Sequence, residues 1–403
     1  MLYLCWVVAQ IALDPIFHKT GGMIDLDGPQ NDFLAYYTHA KDYAAGGNLY
    51  SDAYLKLHRG YQYPPHSLWF FWLFTLMKIG TAYYLFLFLK CMLLVWLMYL
   101  WRAKFIGEDC DALFFIFCIL AYNSALFHDI MVGNVTVMEQ CVLWSAFYSY
   151  LRKKLIPFCV LIVFLASWRI AEVYFLILLL FSTDKKRYLY MVRSFVALAL
   201  IIFFSFLKNP DVYASSVKVI CSYLVGHGEG PGCPSSYYFL KNLFGMLAQK
   251  TGLVVPQPIV WGFYMGIVVM VISLTYQTSI RVRDANEGSD LAKIYIYLNC
   301  LTYVLILPHI SEYWYVILIV PTYYVIKHAT QVSAYIPLFI LASLSIEGIG
   351  FCVGISGLMW NYHSLLIAYA MWGIFICMLW RGTTRAYERA PAGDERKSHP
   401  RAG

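Results

Sequence analysis

Apolar positions run along this chain in blocks, not in alternating stripes. The blocks cover roughly residues 2–17, 67–79, 82–101, 112–127, 135–150, 155–167, 170–182, 189–207, 257–279, 291–307, 314–327, 333–352 and 362–380. A bilayer core calls for helices of about 20 apolar residues, and only helices or closed barrels satisfy their backbone groups there. The short alternating segments of a barrel are absent from the pattern. The pattern therefore predicts an all-α integral membrane protein, a polytopic helical bundle with about 11–13 membrane segments. Several blocks are shorter than a full span, as helices that line a cavity often are. Residues 2–17 lack a basic leader and a small-residue cleavage site, so they are read as a short first membrane helix.

Two long polar stretches interrupt the blocks, residues 18–66 and 208–256. Short basic clusters, "LRKK" (151–154), "DKKR" (184–187), "RVR" (281–283) and the tail from Arg381, mark the cytoplasmic ends of their helices. Both polar stretches then fall on the outer face. The first holds four acids (Asp25, Asp27, Asp32, Asp42). Within it, Phe33, Tyr36 or Tyr37, Ala40 and Tyr43 or Ala44 follow helical spacing. This predicts an amphipathic interfacial helix, capped by Asn31 or Asp32 and closed by Gly46-Gly47. In the second, "GHGEGPG" around His227 has the composition of a surface loop or of a lid. There is no internal repeat. The chain is read as one membrane domain, 1–380, with a polar, disordered cytoplasmic tail, 381–403.

Composition agrees with this picture. Of 403 residues, 61% are hydrophobic and 13% charged, and mean hydropathy is +0.61. The net charge of +7 is accounted for by the basic helix flanks, so no nucleic-acid partner is implied. The eleven cysteines are scattered with no CxxC. Cys221 and Cys233 share one loop, which leaves a disulfide open there.

The polar motifs come in an order that resembles glycosyltransferase family 87. "DFLAYYTHAKDYAAGGNLY" (32–50) is followed by Tyr63-Pro64-Pro65, "VGNVTVM" (132–138), "ASWRIAEVYF" (166–175) and "LPHISEYWYVILIVP" (307–321). Asn134 and Thr136 stand where the family has Gln and Asn, Arg169 where it has Lys, and Ile170 where it has Pro. The resemblance implies a GT-C membrane fold. It implies inverting transfer of a hexose, mannose before others, from a polyprenyl-phosphate sugar to a glycolipid or glycan hydroxyl. The active site would lie on the extracytoplasmic side of the plasma (inner) membrane. The lipid-linked sugar is a substrate, and no cofactor is implied. A donor with a single phosphate also lacks the diphosphate that commonly requires a divalent ion, so no metal is expected.

The resemblance places the general base at Asp32, where helix capping is the simpler alternative. Donor phosphate-binding is assigned to Arg169, Asn134 and His309. Arg169 lies between two short apolar blocks and pairs bidentately with phosphate; a salt bridge to Glu172 is the alternative. Asn134 follows Gly133 and also reads as a helix cap. Tyr36, Tyr37, Tyr63 and Glu312 are the expected substrate-binding residues, with interfacial packing as the alternative for the tyrosines. His309 and Glu312 alone are weak metal ligands. A transporter or flippase would share the helix count but should show two related halves, and none are found. An O-acyltransferase or glycan polymerase has no matching motif here.

Overall fold

The computed structural model describes residues 31–51, 54, 61, 63–107, 112–226, 233–252, 254–285, 291–328, 332–343 and 361–389. The first apolar block, Asp25, Asp27 and His227 lie outside the described residues. Every regular element among the described residues is helical.

The helices follow the apolar blocks closely. In chain order they are α1 (Asn31–Ala44), α2 (Leu68–Thr75), α3 (Ile79–Leu100), α4 (Ala112–Val132), α5 (Thr136–Leu151), α6 (Leu155–Trp168) and α7 (Arg187–Lys208). There follow α8 (Pro210–Gly226), α9 (Ser236–Thr251), α10 (Gln257–Ala285), α11 (Leu291–Ile306), α12 (Ile319–His328), α13 (Val332–Ser343) and α14 (His363–Arg389). Two 3₁₀ helices, Ile170–Phe181 and Glu312–Leu318, stand between α6 and α7 and before α12. Five segments are long and apolar enough to cross a membrane: Ile79–Ile106, Ala112–Ile130, Arg187–Lys208, Gln257–Arg283 and His363–Gly382. Leu155–Trp168, Ile170–Phe181 and Leu291–Ile306 are shorter apolar helices.

Burial separates a lipid-facing shell from a protein-facing core. On α7 only Ser194 and Leu198 are buried, while Val192, Phe203 and Phe204 are more than half exposed. Such a surface is stable only under hydrocarbon. In contrast, α11 is buried continuously from Tyr295 to Leu305, and Glu312 to Val320 is buried at nearly every position. A helix that is apolar on all sides belongs at the centre of a bundle. Around this centre pack α4, α10, α14 and the 170–181 helix.

Four expectations are corrected. Block 67–79 is not a span: a 3₁₀ turn at Pro65–Ser67 leads into an α2 of only 8 residues, since a proline fits a first turn and Tyr63-Pro64-Pro65 cannot continue a helix backwards. The second polar stretch is largely helical, as α8 and α9. Ser235 caps α9 by accepting from the Tyr238 N–H, and Gly252 (φ +75°) ends it. The tail is helical as far as Arg389, continuing α14. Cys221 and Cys233 are both free thiols, the first exposed and the second buried.

α4 is one apolar segment with a break. Ala121 is extended, and Tyr122, Asn123 and Ser124 take left-handed φ values of 55, 56 and 58°. Three consecutive non-glycine residues in that region cost roughly 1–2 kcal/mol each. The break is occupied on both sides. The Tyr122 hydroxyl meets Thr322 Oγ1 at 2.5 Å, and Asn123 Nδ2 donates to Glu312 Oε1 at 2.7 Å.

Candidate active site

α1 forms where its spacing predicts, and its apolar face is packed. Phe33, Tyr36 and Ala40 are buried. Phe33 and Tyr36 touch Phe71, Phe74 and Phe86 of α2 and α3. At the end of α1, Gly46 adopts φ +86° and the Gly47 N–H returns to the Asp42 carbonyl at 2.9 Å. A β-carbon at Gly47 would meet that carbonyl oxygen at 2.9 Å, which explains the glycine there. Asp42 is a structural acid, since its carboxylate accepts from the Tyr54 hydroxyl at 2.7 Å.

Asp32 faces the bundle. Its Oδ2 accepts from Asn134 Nδ2 at 2.7 Å, and Asn134 Nδ2 also donates to the Tyr36 hydroxyl at 2.9 Å. Asn134 Oδ1 accepts from the N–H and the hydroxyl of Thr136, at 3.1 and 3.0 Å. Asn134 thus caps α5 with its oxygen and holds α1 with its nitrogen. Its amide is buried and engaged on both sides, so Asn134 orients Asp32 and Tyr36.

From Tyr36 the polar chain continues. The Tyr36 ring meets the Tyr63 ring edge-on, centroids 6.1 Å apart, and the Tyr63 hydroxyl accepts from Arg169 Nη2 at 3.3 Å. Burial is the main force pushing the Tyr63 hydroxyl up to about 12, against the lowering effect of Arg169, so it remains a neutral phenol. The Tyr63 backbone is fixed as well, its carbonyl accepting from the Tyr50 hydroxyl at 2.7 Å. Three residues on, His66 reaches the Ser167 carbonyl at 2.6 Å. Loop one is therefore tied to the 167–169 turn at two points.

Arg169 occupies an extended residue (φ −134°, ψ 102°) between α6 and the 170–181 helix. Its guanidinium carbon lies 3.3 Å from the centre of the Trp314 ring, a flat stack that fixes the plane of the donor fork. It makes no ion pair within 4 Å to Glu172 among the described contacts; Glu172 Oε1 instead accepts from the Tyr303 hydroxyl at 2.9 Å. Glu139, in the first turn of α5, and Glu172 both act electrostatically on Arg169. Both are buried, and among the described residues neither Glu139 oxygen nor Glu172 Oε2 has a hydrogen-bond partner.

His309 is near enough for Arg169 to act on it. Burial first, then Arg169, holds its imidazole down at about 4, so it is neutral at physiological pH and can only donate or accept a hydrogen bond. An unfolded histidine titrates near 6.5, so between about 6.5 and 4 the unfolded chain binds the extra proton. Stability should fall as pH drops through that window. Thermal unfolding in detergent should show it, with a shallower slope for His309→Asn; an equal slope in both proteins would exclude the effect.

Glu312 accepts from Asn123 and stands 3.5 Å from His128 Nδ1. Tyr37 is turned to another use, its hydroxyl donating to the Met77 carbonyl at 2.9 Å. Among the described residues, no three His, Cys, Asp or Glu side chains are placed to hold a metal ion. A groove of ≈ 350 Å³ opens elsewhere, between the end of α1, Trp69, Trp72 and Lys208, and contains none of the candidate residues.

The structure thus joins Asp32, Asn134, Tyr36, Tyr63 and Arg169 in one chain of polar and ring contacts, with His309 beside its arginine end. Glu139, Trp314 and His66 are additions that sequence reasoning missed. Glu139 carried a readable signal, an acid inside an apolar block. An acid and a guanidinium are thus linked through an amide and two phenols inside a membrane bundle. The model of glycosyltransferase family 87 matches residues 61–308, more than half of the sequence. The chain belongs to glycosyltransferase family 87 and is a membrane glycosyltransferase. The matched region begins after Asp32, Tyr36 and Tyr37 and ends before His309 and Glu312. No curated protein and no solved structure matches the chain.

Proposed function

We propose that this protein transfers a hexose, mannose before others, from a polyprenyl-phosphate sugar to a glycolipid or glycan hydroxyl on the outer face of the plasma (inner) membrane. The observation that carries the reading is the continuous chain Asp32–Asn134–Tyr36–Tyr63–Arg169. It places a carboxylate at one end and a planar cation at the other. Asp32 accepts the proton of the acceptor hydroxyl as its oxygen bonds to the anomeric carbon. The bond from that carbon to the phosphate oxygen breaks, and its electron pair leaves with the polyprenyl phosphate. Attack opposite the leaving group inverts the anomeric centre. Arg169 meets the phosphate, and neutral His309 adds a hydrogen bond. Tyr36 and Tyr63 form walls between the two ends. The helices would form a GT-C bundle, and the reaction as written uses no cofactor and no metal.

Radiolabelled polyprenyl-phosphate mannose added to the protein in proteoliposomes, with glycolipid or glycan acceptors, should yield labelled product and free polyprenyl phosphate. No transfer of this or another polyprenyl-phosphate hexose would overturn the reading. A cysteine placed at position 32 in a cysteine-free background should react with an impermeant thiol reagent added to intact cells. Labelling only after access to the cytoplasm would reverse the assigned side.

A further inference from the structure

Below Asp32 lies a buried ion pair that the transfer reaction as written does not use. Lys90 of α3 and Asp129 near the end of α4 are 1% and 0% exposed, with Nζ and Oδ2 2.8 Å apart. Lys90 Nζ also donates to the Asp129 carbonyl at 2.5 Å. The same carbonyl accepts the Asn134 N–H at 3.2 Å, and Asn134 Nδ2 holds Asp32 Oδ2. The Asp129 carboxylate lies against the first turn of α5, where the Thr136 and Val137 N–H groups favour its charge. Lys90 is thus separated from Asp32 by one residue's peptide and one amide side chain, and its charge acts on Asp32.

A buried ion pair in a membrane bundle is a poor way to gain stability. Desolvating both charges offsets most of their attraction, and apolar residues of the same volume often do as well. The pair's placement gives it a use. Among the described residues, the titratable groups on which Asp32 acts include Tyr36 on its own helix, Lys90 on α3 with Asp129 paired to it, His128 on α4 and Tyr313 before α12, while α2 presents Phe71 and Phe74 to this face. Tyr36 and Tyr313 are phenols, and His128 is directed at Glu312. Lys90 is the ammonium of the group.

We propose that Lys90, locked in place by Asp129, is a positioning residue that keeps Asp32 ionised and ready to accept the acceptor proton. This rests on the assignment of Asp32 as base. A positive charge near a carboxylate favours its ionised form, and the low dielectric of the bundle lengthens that influence.

The test is the pH dependence of kcat/KM for mannosyl transfer by the full chain in proteoliposomes. In Lys90→Gln, which keeps a donor for the Asp129 carbonyl but loses the charge, the acidic limb should move up by about one pH unit. Lys90→Met should move it the same way, and Lys90→Arg should leave it in place. Should Lys90→Met not fold, the Gln and Arg variants carry the comparison. A limb in Lys90→Gln at the wild-type position, even with a lower plateau, would reduce Lys90 to a structural role and overturn the proposal. Asp32→Asn is measured alongside. If it is inactive while the limb stays fixed, only the role of Lys90 fails; if it is fully active, the base assignment fails and takes this proposal with it.

Discussion

Asp32→Asn should lower the transfer rate by about a thousandfold or more, while donor binding stays within about twofold of wild type. The expectation follows from how little else the substitution changes. The amide has the same shape as the carboxylate, and its oxygen can still accept from Asn134 Nδ2, now at 2.7 Å from Asp32 Oδ2. α1 keeps its packing through Phe33, Tyr36 and Ala40. What is lost is the ability to take a proton. Parallel measurement of initial rates with labelled donor and of donor affinity separates a chemical defect from a binding defect. A variant with the wild-type rate would remove Asp32 from the reaction, and one with equally damaged donor binding would make it a structural residue.

Arg169→Ala should weaken donor binding by about ten- to a hundredfold, the range expected when a hydrogen bond to a charged group is lost. Arg169→Lys should recover only part of this. A lysine has no planar fork to lie flat on Trp314, where the guanidinium carbon sits 3.3 Å from the ring centre, and cannot offer two parallel N–H groups to a phosphate. Arg169→Ala also leaves Glu139 and Glu172 without the cation they face. Binding of polyprenyl phosphate, the product, should weaken in parallel with the donor. Unchanged affinity for both lipids would exclude Arg169 from the phosphate site.

The helices were legible because lipid and protein interiors select the same residues over long blocks. Block 189–207 became α7 and block 291–307 became α11 with shifts of no more than two residues. α8 and α9 escaped because their apolar residues are diluted by Lys, Ser and Asn, and their helicity depends on capping and packing more than on continuous hydrophobicity. Within the site, Asp32 stood out among four acids through the family resemblance, and Arg169 because charge is costly beside so much apolar surface. The joining of the two did not, since the spacing of residues 32 and 169 carries no information about which side chains meet. Asn134 shows the limit well. The sequence offered a cap or a ligand contact, and the folded residue divides its amide between capping α5 and orienting Asp32. Glu139 was passed over among apolar neighbours in "TVMEQC" although the same cost argument applied to it.

The contacts that assemble the site span long stretches of chain: Asp32 with Asn134 over 102 residues, His66 with Ser167 over 101, and Tyr63 with Arg169 over 106. None belongs to a helix's own ladder, so each depends on one loop closing back onto finished helices. Cooperative opening in proteins begins where contacts are few and non-local, well below the energy of global unfolding. On heating, loop one should lift from the 167–169 turn while the bundle is still helical, and catalytic capacity should vanish at a lower temperature than the circular dichroism signal. Docking of loop one, rather than the membrane helices beneath it, should then set how long transfer activity survives heating.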